Sequence, residues 1–283
     1  MSAMASLRAD EHRLLAGYIY SLCGIQLDDT KGYLIESRLG NLMTATKSCS
    51  YIELYNKAKS DGSGALERSI IDAITTGETL FFRDGAPYEL LRRKILPELI
   101  ERRAAQWGSA KIPVRVWSAA SSTGQELYSI AFVLREVLGG SDKYDIRLFG
   151  TDISVEAVER ARLGIYNTVE AERGLPPAML SRYFAKHGDG WKVRDEIRAM
   201  TMFRVMNLQR DFSYIGQYDI IFCRNVAIYF SEPDKATLFG RMQKVLAPDG
   251  YLLVGSTESL SGISSDFEPK RWERTVYYQR GRS

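Results

Sequence analysis

The sequence is poor in metal-ligating residues. It has only two histidines, His12 and His187, and three widely spaced cysteines, Cys23, Cys49 and Cys223. Structural and catalytic zinc sites need such ligands at close, regular spacing, so no metal is expected. An odd cysteine count without clustering argues against a disulfide framework and fits reduced cytoplasmic thiols. No apolar run approaches the roughly 20 residues of a membrane span, and the stretch Ile220-Ile221-Phe222-Cys223 stops at Arg224. The N-terminal MSAMASLRADEHR has no apolar signal-peptide centre, so a cytoplasmic chain without membrane insertion is expected. Net charge is only +3, with both signs well mixed, which argues against a nucleic-acid binder. The glycine fingerprint G-x-G-x-x-G is missing too, which weakens any nicotinamide or flavin assignment.

What is present is an ordinary globular composition, 45% hydrophobic and 26% charged over 283 residues, enough for a large domain and a small one. The chain has two rhythms. Up to about residue 75 the periodicity is helical: Leu14, Leu15, Tyr18, Ile19 and Leu22 recur at spacings of three and four until Gly24. Further helices are expected over 32–43, over 51–59 behind a Ser50 cap, and over 65–74. Residues 1–75 therefore read as a small all-α domain, 76–90 as a linker covering a site, and 91–283 as a second domain. In the latter, a helix over 87–103 is interrupted or restarted by Pro97. Strands at 114–117, 146–149, 218–223, 251–254 and 275–278 alternate with helices at 125–137, 155–163 and 235–246. Such alternation predicts a doubly wound α/β sheet, whose ligands bind beyond the carboxyl ends of the strands. The stretch 175–205 breaks the alternation and reads as a small β insertion in which 191–193 and 202–205 pair across a loop.

Three segments carry chemistry. After the strand ending Val116-Trp117 come seven small residues, Ser118 to Gly124, then a helix opening Gln125-Glu126. Small side chains let the backbone approach a ligand at a helix N-terminus, or simply build a tight turn. Asp152, ending the second strand, is placed either to hold the two hydroxyls of a ribose or to cap the next helix. The third segment runs from a buried strand into Arg224 and Asn225, which face the ligand crevice or else a surface loop; Asn207 has the same ambiguity.

Taken together, TTGETLFFRD (75–84), VWSAASSTGQELYSIA (116–131), GTDIS (150–154), MNL (206–208), DIIFCRNVAIYF (219–230) and LAPDGYLLVGSTES (246–259) resemble the chemotaxis receptor methyltransferase family, CheR. The resemblance covers essentially the whole chain. It implies a methyltransferase sheet with a β insertion behind a helical domain, S-adenosylmethionine (SAM) as donor, S-adenosylhomocysteine (SAH) as product, and a receptor glutamate as acceptor. It also implies a monomer. Carried over residue by residue, Gly77, Thr79, Arg83, Ala119, Glu126, Asp152, Asn207, Leu208, Cys223, Arg224 and Asn225 hold the cofactor. Glu126 faces the methionine part, Asp152 the ribose, and Asn207 with Leu208 the adenine. Arg83, Arg224 and Tyr229 position substrate or donor and close the pocket, without acid–base chemistry.

There are departures. The family often has asparagine at the position of Gly77. Of the arginines that relatives carry on the second helix to grip the acidic receptor, only Arg38 matches. The loop 185–191 is shorter than in relatives that dock on a receptor's C-terminal pentapeptide, so independence from that tether is expected. A methyltransferase with another acceptor, or a non-catalytic SAM sensor, are the competing expectations.

Overall fold

The computed structural model describes residues 7–107, 111–139 and 142–281. Among the described residues, four helices come first: α1 (Ala9–Cys23), α2 (Gly32–Ala45), α3 (Tyr51–Ser60) and α4 (Ala65–Ile74). Gly24, at φ 75°, closes α1 with its N–H on the Tyr20 carbonyl, a left-handed cap that glycine adopts without strain. Ser50 caps α3 by accepting from the Glu53 N–H at 3.2 Å. The apolar faces meet in a core of Leu15, Ile19, Ile35, Leu39, Leu54 and Ile70.

Segment 75–85 then leads into α5 (Ala86–Leu90), a π-helical turn (Leu91–Ile95) and α6 (Leu96–Trp107). Pro97 has no N–H to give to the Arg93 carbonyl. The helix does not break there. It absorbs the loss by widening, and the Leu96 N–H reaches back five residues to the Leu91 carbonyl.

Among the described residues the ten strands are β1 (Ile112–Ala119), β2 (Tyr144–Asp152), β3 (Ile165–Tyr166), β4 (Phe184–His187), β5 (Gly190–Val193), β6 (Thr201–Val205), β7 (Tyr218–Cys223), β8 (Leu246–Val254), β9 (Phe267–Trp272) and β10 (Thr275–Arg280). Between them lie α7 (Gln125–Leu138), α8 (Val155–Leu163), α9 (Thr168–Glu172), α10 (Pro177–Tyr183), α11 (Asp195–Arg198) and α12 (Glu232–Val245). Seven strands form one sheet in the order β6-β2-β1-β7-β8-β10-β9. The first five are parallel, and β10 runs antiparallel to both its neighbours.

Alternate residues of each central strand feed opposite layers. Val114, Val116, Ile220, Phe222, Tyr251 and Leu253 enter one core. Trp117, Ala119, Ile221, Cys223, Leu252 and Val254 enter the other. That period of two, apolar on both faces, is what a helix-sandwiched parallel sheet requires. Because the chain moves outward from β1 through β2 to β6 and then returns to β7, strand order reverses between β1 and β7. A crevice opens there.

One expectation fails and one strand was not anticipated. Residues 191–193 and 202–205 do not pair with each other. The first lie in β5, between β3 and β4 in a separate antiparallel sheet, whereas the second form β6, a parallel edge strand on β2. Two short apolar segments in sequence order mimic a hairpin, but β2 offers the longer partner. Strand β9 was not foreseen, because Glu268, Pro269, Lys270 and Arg271 hide its pattern.

Candidate active site

The cleft at the strand-order reversal encloses about 1340 Å³, open mouth included. Its floor comes from residues just beyond the parallel strands: Ala120 to Thr123 after β1, Asp152 ending β2, Met206 to Leu208 after β6, and Arg224 to Val226 after β7. Its roof is the segment joining the two domains, with Thr75 to Thr79 and Arg83. Among the residues expected from sequence, Gly77, Thr79, Arg83, Glu126, Asp152, Asn207, Leu208, Arg224, Asn225 and Tyr229 all line it. Ala119 and Cys223 do not. Both are fully buried in the apolar layer beneath, and their successors Ala120 and Arg224 reach the cleft instead. Burial also pushes the Cys223 thiol well above its ordinary pKa.

Arg224 is the tie between floor and roof. Its side chain is 1% exposed, pairs with Glu126 at 3.1 Å and Asp84 at 2.6 Å, and donates to the Arg83 carbonyl at 3.0 Å. Glu126 also accepts from the Ser118 hydroxyl at 2.8 Å. Burial raises the Glu126 pKa, while the Arg224 charge and both hydrogen bonds oppose that rise. The guanidinium therefore has its charge committed inside the protein. Arg83 is different. It lines the cleft, donates to the Glu78 carbonyl at 3.2 Å, and has no carboxylate partner among the described residues.

Asp152 accepts from the backbone N–H groups of Ser122 at 2.8 Å and Ser154 at 3.0 Å. The cap of α8 is Ser154, whose hydroxyl accepts from the Ala157 N–H, so Asp152 does not cap that helix. Its burial raises its pKa against those backbone bonds. An ionised carboxylate has four acceptor positions, so two remain for a ligand's hydroxyls. Asn207 uses its amide to donate to the Leu22 carbonyl at 2.8 Å and accept from the Gln209 N–H. The Tyr229 carbonyl accepts from the Gln26 N–H at 3.0 Å. The C-terminal end of α1 thus docks on the catalytic domain beside the cleft. Arg38 does not reach the cleft; it donates to the Ile74 and Thr75 carbonyls and the Thr76 hydroxyl, fastening α2 to the start of the roof.

Several features were missed. Phe82, Asp84, Ala120, Ser122 and Asn225 all carry positive φ, a backbone state unfavourable for side-chain-bearing residues that gathers at functional sites. No composition signal marks it. The helical domain supplies Cys23, Ile25 and Asp72 to the cleft, and only the packing of the domains reveals this. Gly174, at φ 90°, sits so close to the Phe81 carbonyl that no side chain fits, so the chain just before the insertion packs against the segment that carries the roof.

The cleft fits SAM. Its small-residue wall admits a nucleoside, and its lining carries Asp72, Glu78, Glu126, Asp152 and Glu156 against Arg83, Arg160 and Arg224, an acidic balance suited to a sulfonium cation. Four buried polar atoms without partners also line it: Asp72 Oδ1, Ser121 Oγ, Arg224 Nε and Asn225 Oδ1. A parallel sheet with an antiparallel penultimate strand in its spatial order and such a pocket at the reversal defines a SAM-dependent methyltransferase. Comparison with known proteins makes the assignment narrower. Residues 10–75 match the family description "CheR methyltransferase, all-alpha domain", and residues 77–276 match "CheR methyltransferase, SAM binding domain". The chain belongs to the CheR methyltransferase family. It is 39% identical to chemotaxis protein methyltransferase 1 of Vibrio cholerae over 95% of this chain and 96% of that one. It is 36% identical to chemotaxis protein methyltransferase 1 of Pseudomonas aeruginosa over 98% and 99%, respectively.

No described helix is long and apolar enough to cross a membrane.

Proposed function

We propose that this methyltransferase, acting as a cytoplasmic monomer, esterifies glutamate side chains on the cytoplasmic helices of chemotaxis receptors for sensory adaptation, without needing a receptor C-terminal pentapeptide. The observation that carries the acceptor class is Arg83, the lining cation left without a carboxylate partner among the described residues while Arg160 and Arg224 are paired. It is available to steer an incoming carboxylate.

SAM supplies an electrophilic methyl group. A glutamate with pKa near about 4.3 is ionised at neutral pH, so no general base is required. The protein's task is alignment, worth up to about 7–11 kcal/mol in ideal cases, and exclusion of water, which otherwise stabilises the separated charges of acceptor and sulfonium. Arg224 serves by holding roof to floor through Asp84 and Glu126. Arg83 and Tyr229 orient the acceptor, and Gly77, Thr79, Glu126, Asp152, Asn207, Leu208 and Asn225 bind the donor. Arg83 is partly exposed, which keeps the ion pair with substrate weak enough not to trap the anion.

The proposal is tested by incubating the protein with methyl-labelled SAM and a receptor-containing membrane fraction, then adding alkali. Volatile methanol marks glutamyl esters; label resistant to alkali points to an amine or base acceptor, and SAM binding with no transfer points to a sensor. Truncating the receptor's last five residues should leave the rate unchanged, and a rate that collapses on truncation contradicts the tether-free reading.

A further inference from the structure

Glu258 lies outside the cleft lining, on the loop that follows β8, where it borders a separate hollow with Asp84, Gly255 and Arg274. Its carboxylate is engaged by backbone N–H groups. One oxygen accepts from Asn225 and from Gly255, both at 2.7 Å. The other accepts from Ile228 at 3.2 Å. Two of these three donors belong to the segment 225–229, whose Asn225, Val226 and Tyr229 line the cleft.

That segment has little of its own to hold its shape. Asn225 sits at φ 59°, a left-handed state that costs a side-chain-bearing residue free energy and persists only where the surroundings enforce it. The single 3₁₀ turn that follows, Ala227–Tyr229, is too short to bond its own first N–H groups. Glu258 supplies the acceptor for the one on Ile228. The approach is close: a Cβ on Gly255 would stand 2.6 Å from the Glu258 carboxylate and 3.0 Å from the Asn225 backbone nitrogen, so a glycine is needed where the three meet. Bonds from N–H groups to an ionised carboxylate are about twice as strong as neutral ones. On the other side of the same residue, Asn225 Oδ1 is buried without a partner, so where it points is set by the backbone that Glu258 holds.

We propose that Glu258 is a positioning residue for methyl transfer: by clamping the N–H groups of Asn225 and Ile228, it holds the Asn225 amide and the Tyr229 side chain where donor and acceptor meet them. This rests on the donor and acceptor roles given above to Asn225 and Tyr229. Glu258 acts through the loop and touches neither SAM nor the glutamate. Its charge also reaches the cleft, since it adds to the raised Glu126 pKa. The two routes differ in what they predict when Asn225 is altered.

Calorimetry with SAH tests this on the full chain, at a temperature well below the unfolding midpoint. Glu258→Ala should weaken SAH about 10–100-fold, the range for losing a charge-assisted hydrogen bond. Glu258→Gln keeps one acceptor oxygen, so it should stay folded even if the alanine variant does not, and should lose less. In an Asn225→Gly background, which removes the amide and relieves the positive φ, adding Glu258→Ala should cost less than about threefold more. SAH affinity within about twofold of wild type in Glu258→Ala overturns the proposal. So does a fully additive loss in the Asn225→Gly background, or a glutamine variant as weak as the alanine one. Either would assign the effect to charge rather than to the loop. The wild-type titration stands apart: absence of SAH binding there would overturn the donor site, and the proposal with it.

Discussion

Replacing Arg224 by alanine should damage the protein in a way that depends on pH. The guanidinium is 1% exposed and neutralises Glu126, which is itself only 12% exposed, as well as bonding Asp84. Its removal strands a buried carboxylate. Breaking a buried pair from one side costs about 3–5 kcal/mol, and at about 2–4 °C per kcal/mol for a domain of this size the unfolding midpoint should fall about 6–20 °C. Burial already raises the Glu126 pKa and the Arg224 charge restrains it, so in Arg224→Ala it rises further. A carboxyl whose native pKa exceeds its unfolded value holds a proton that unfolding releases. Its stabilising contribution is present at low pH and is lost as pH rises through the native pKa. The deficit of Arg224→Ala should therefore shrink as pH is lowered from neutral and Glu126 protonates. Adding Glu126→Gln should recover part of the stability and abolish that pH dependence. Thermal unfolding across that fall in pH decides the matter. A deficit below about 1 kcal/mol, or one that does not change with pH, would refute the argument, since the charge would then not be buried or not be paired as described.

Other consequences follow from the same geometry. A Cβ on Gly77 would meet only the Ser122 hydroxyl, at an ordinary 3.7 Å, and its φ is not positive; Gly77→Asn should fold normally and tighten SAH binding by about three- to tenfold by calorimetry, one added hydrogen bond. Arg83→Ala breaks a single backbone contact, so its unfolding midpoint should stay within about 2 °C of wild type while turnover falls at least about tenfold; Arg83→Lys should not restore the rate if planar recognition of a carboxylate matters. Cys49 is exposed, burial lifts the Cys23 thiol to about 11, and Cys223 is pushed up further. Mass spectrometry after brief alkylation near pH 8 should show one label per chain, on Cys49.

Much of the molecule was legible in its sequence, and the exceptions have physical causes. The four N-terminal helices showed themselves through periodicity and through Ser50 and Gly24 at their ends. Strand β7 was evident because a strand buried on both faces is continuously apolar. Expectations failed where local pattern competes with distant partners. Residues 202–205 belong beside β2 rather than beside 191–193. At the cleft, the motif residues fall along one wall, while Ala119 and Cys223 lie one residue short of it, where strand alternation turns the side chain into the core. Asp72 and Cys23 carried no motif, and their place in the cleft exists only once the two domains pack. The bonds from Arg38 to residues 74–76 were likewise invisible in sequence, since nothing local marks those distant carbonyls as its partners.

The account stands on transfer of a methyl group to glutamate at this cleft. Receptor helices incubated with SAM and the wild-type protein, then digested and read by tandem mass spectrometry, should carry a base-labile methyl on defined glutamates, and Asp152→Ala should abolish it. Unmodified glutamates under conditions where the protein binds SAH, or a methyl found on any other residue type, would contradict it.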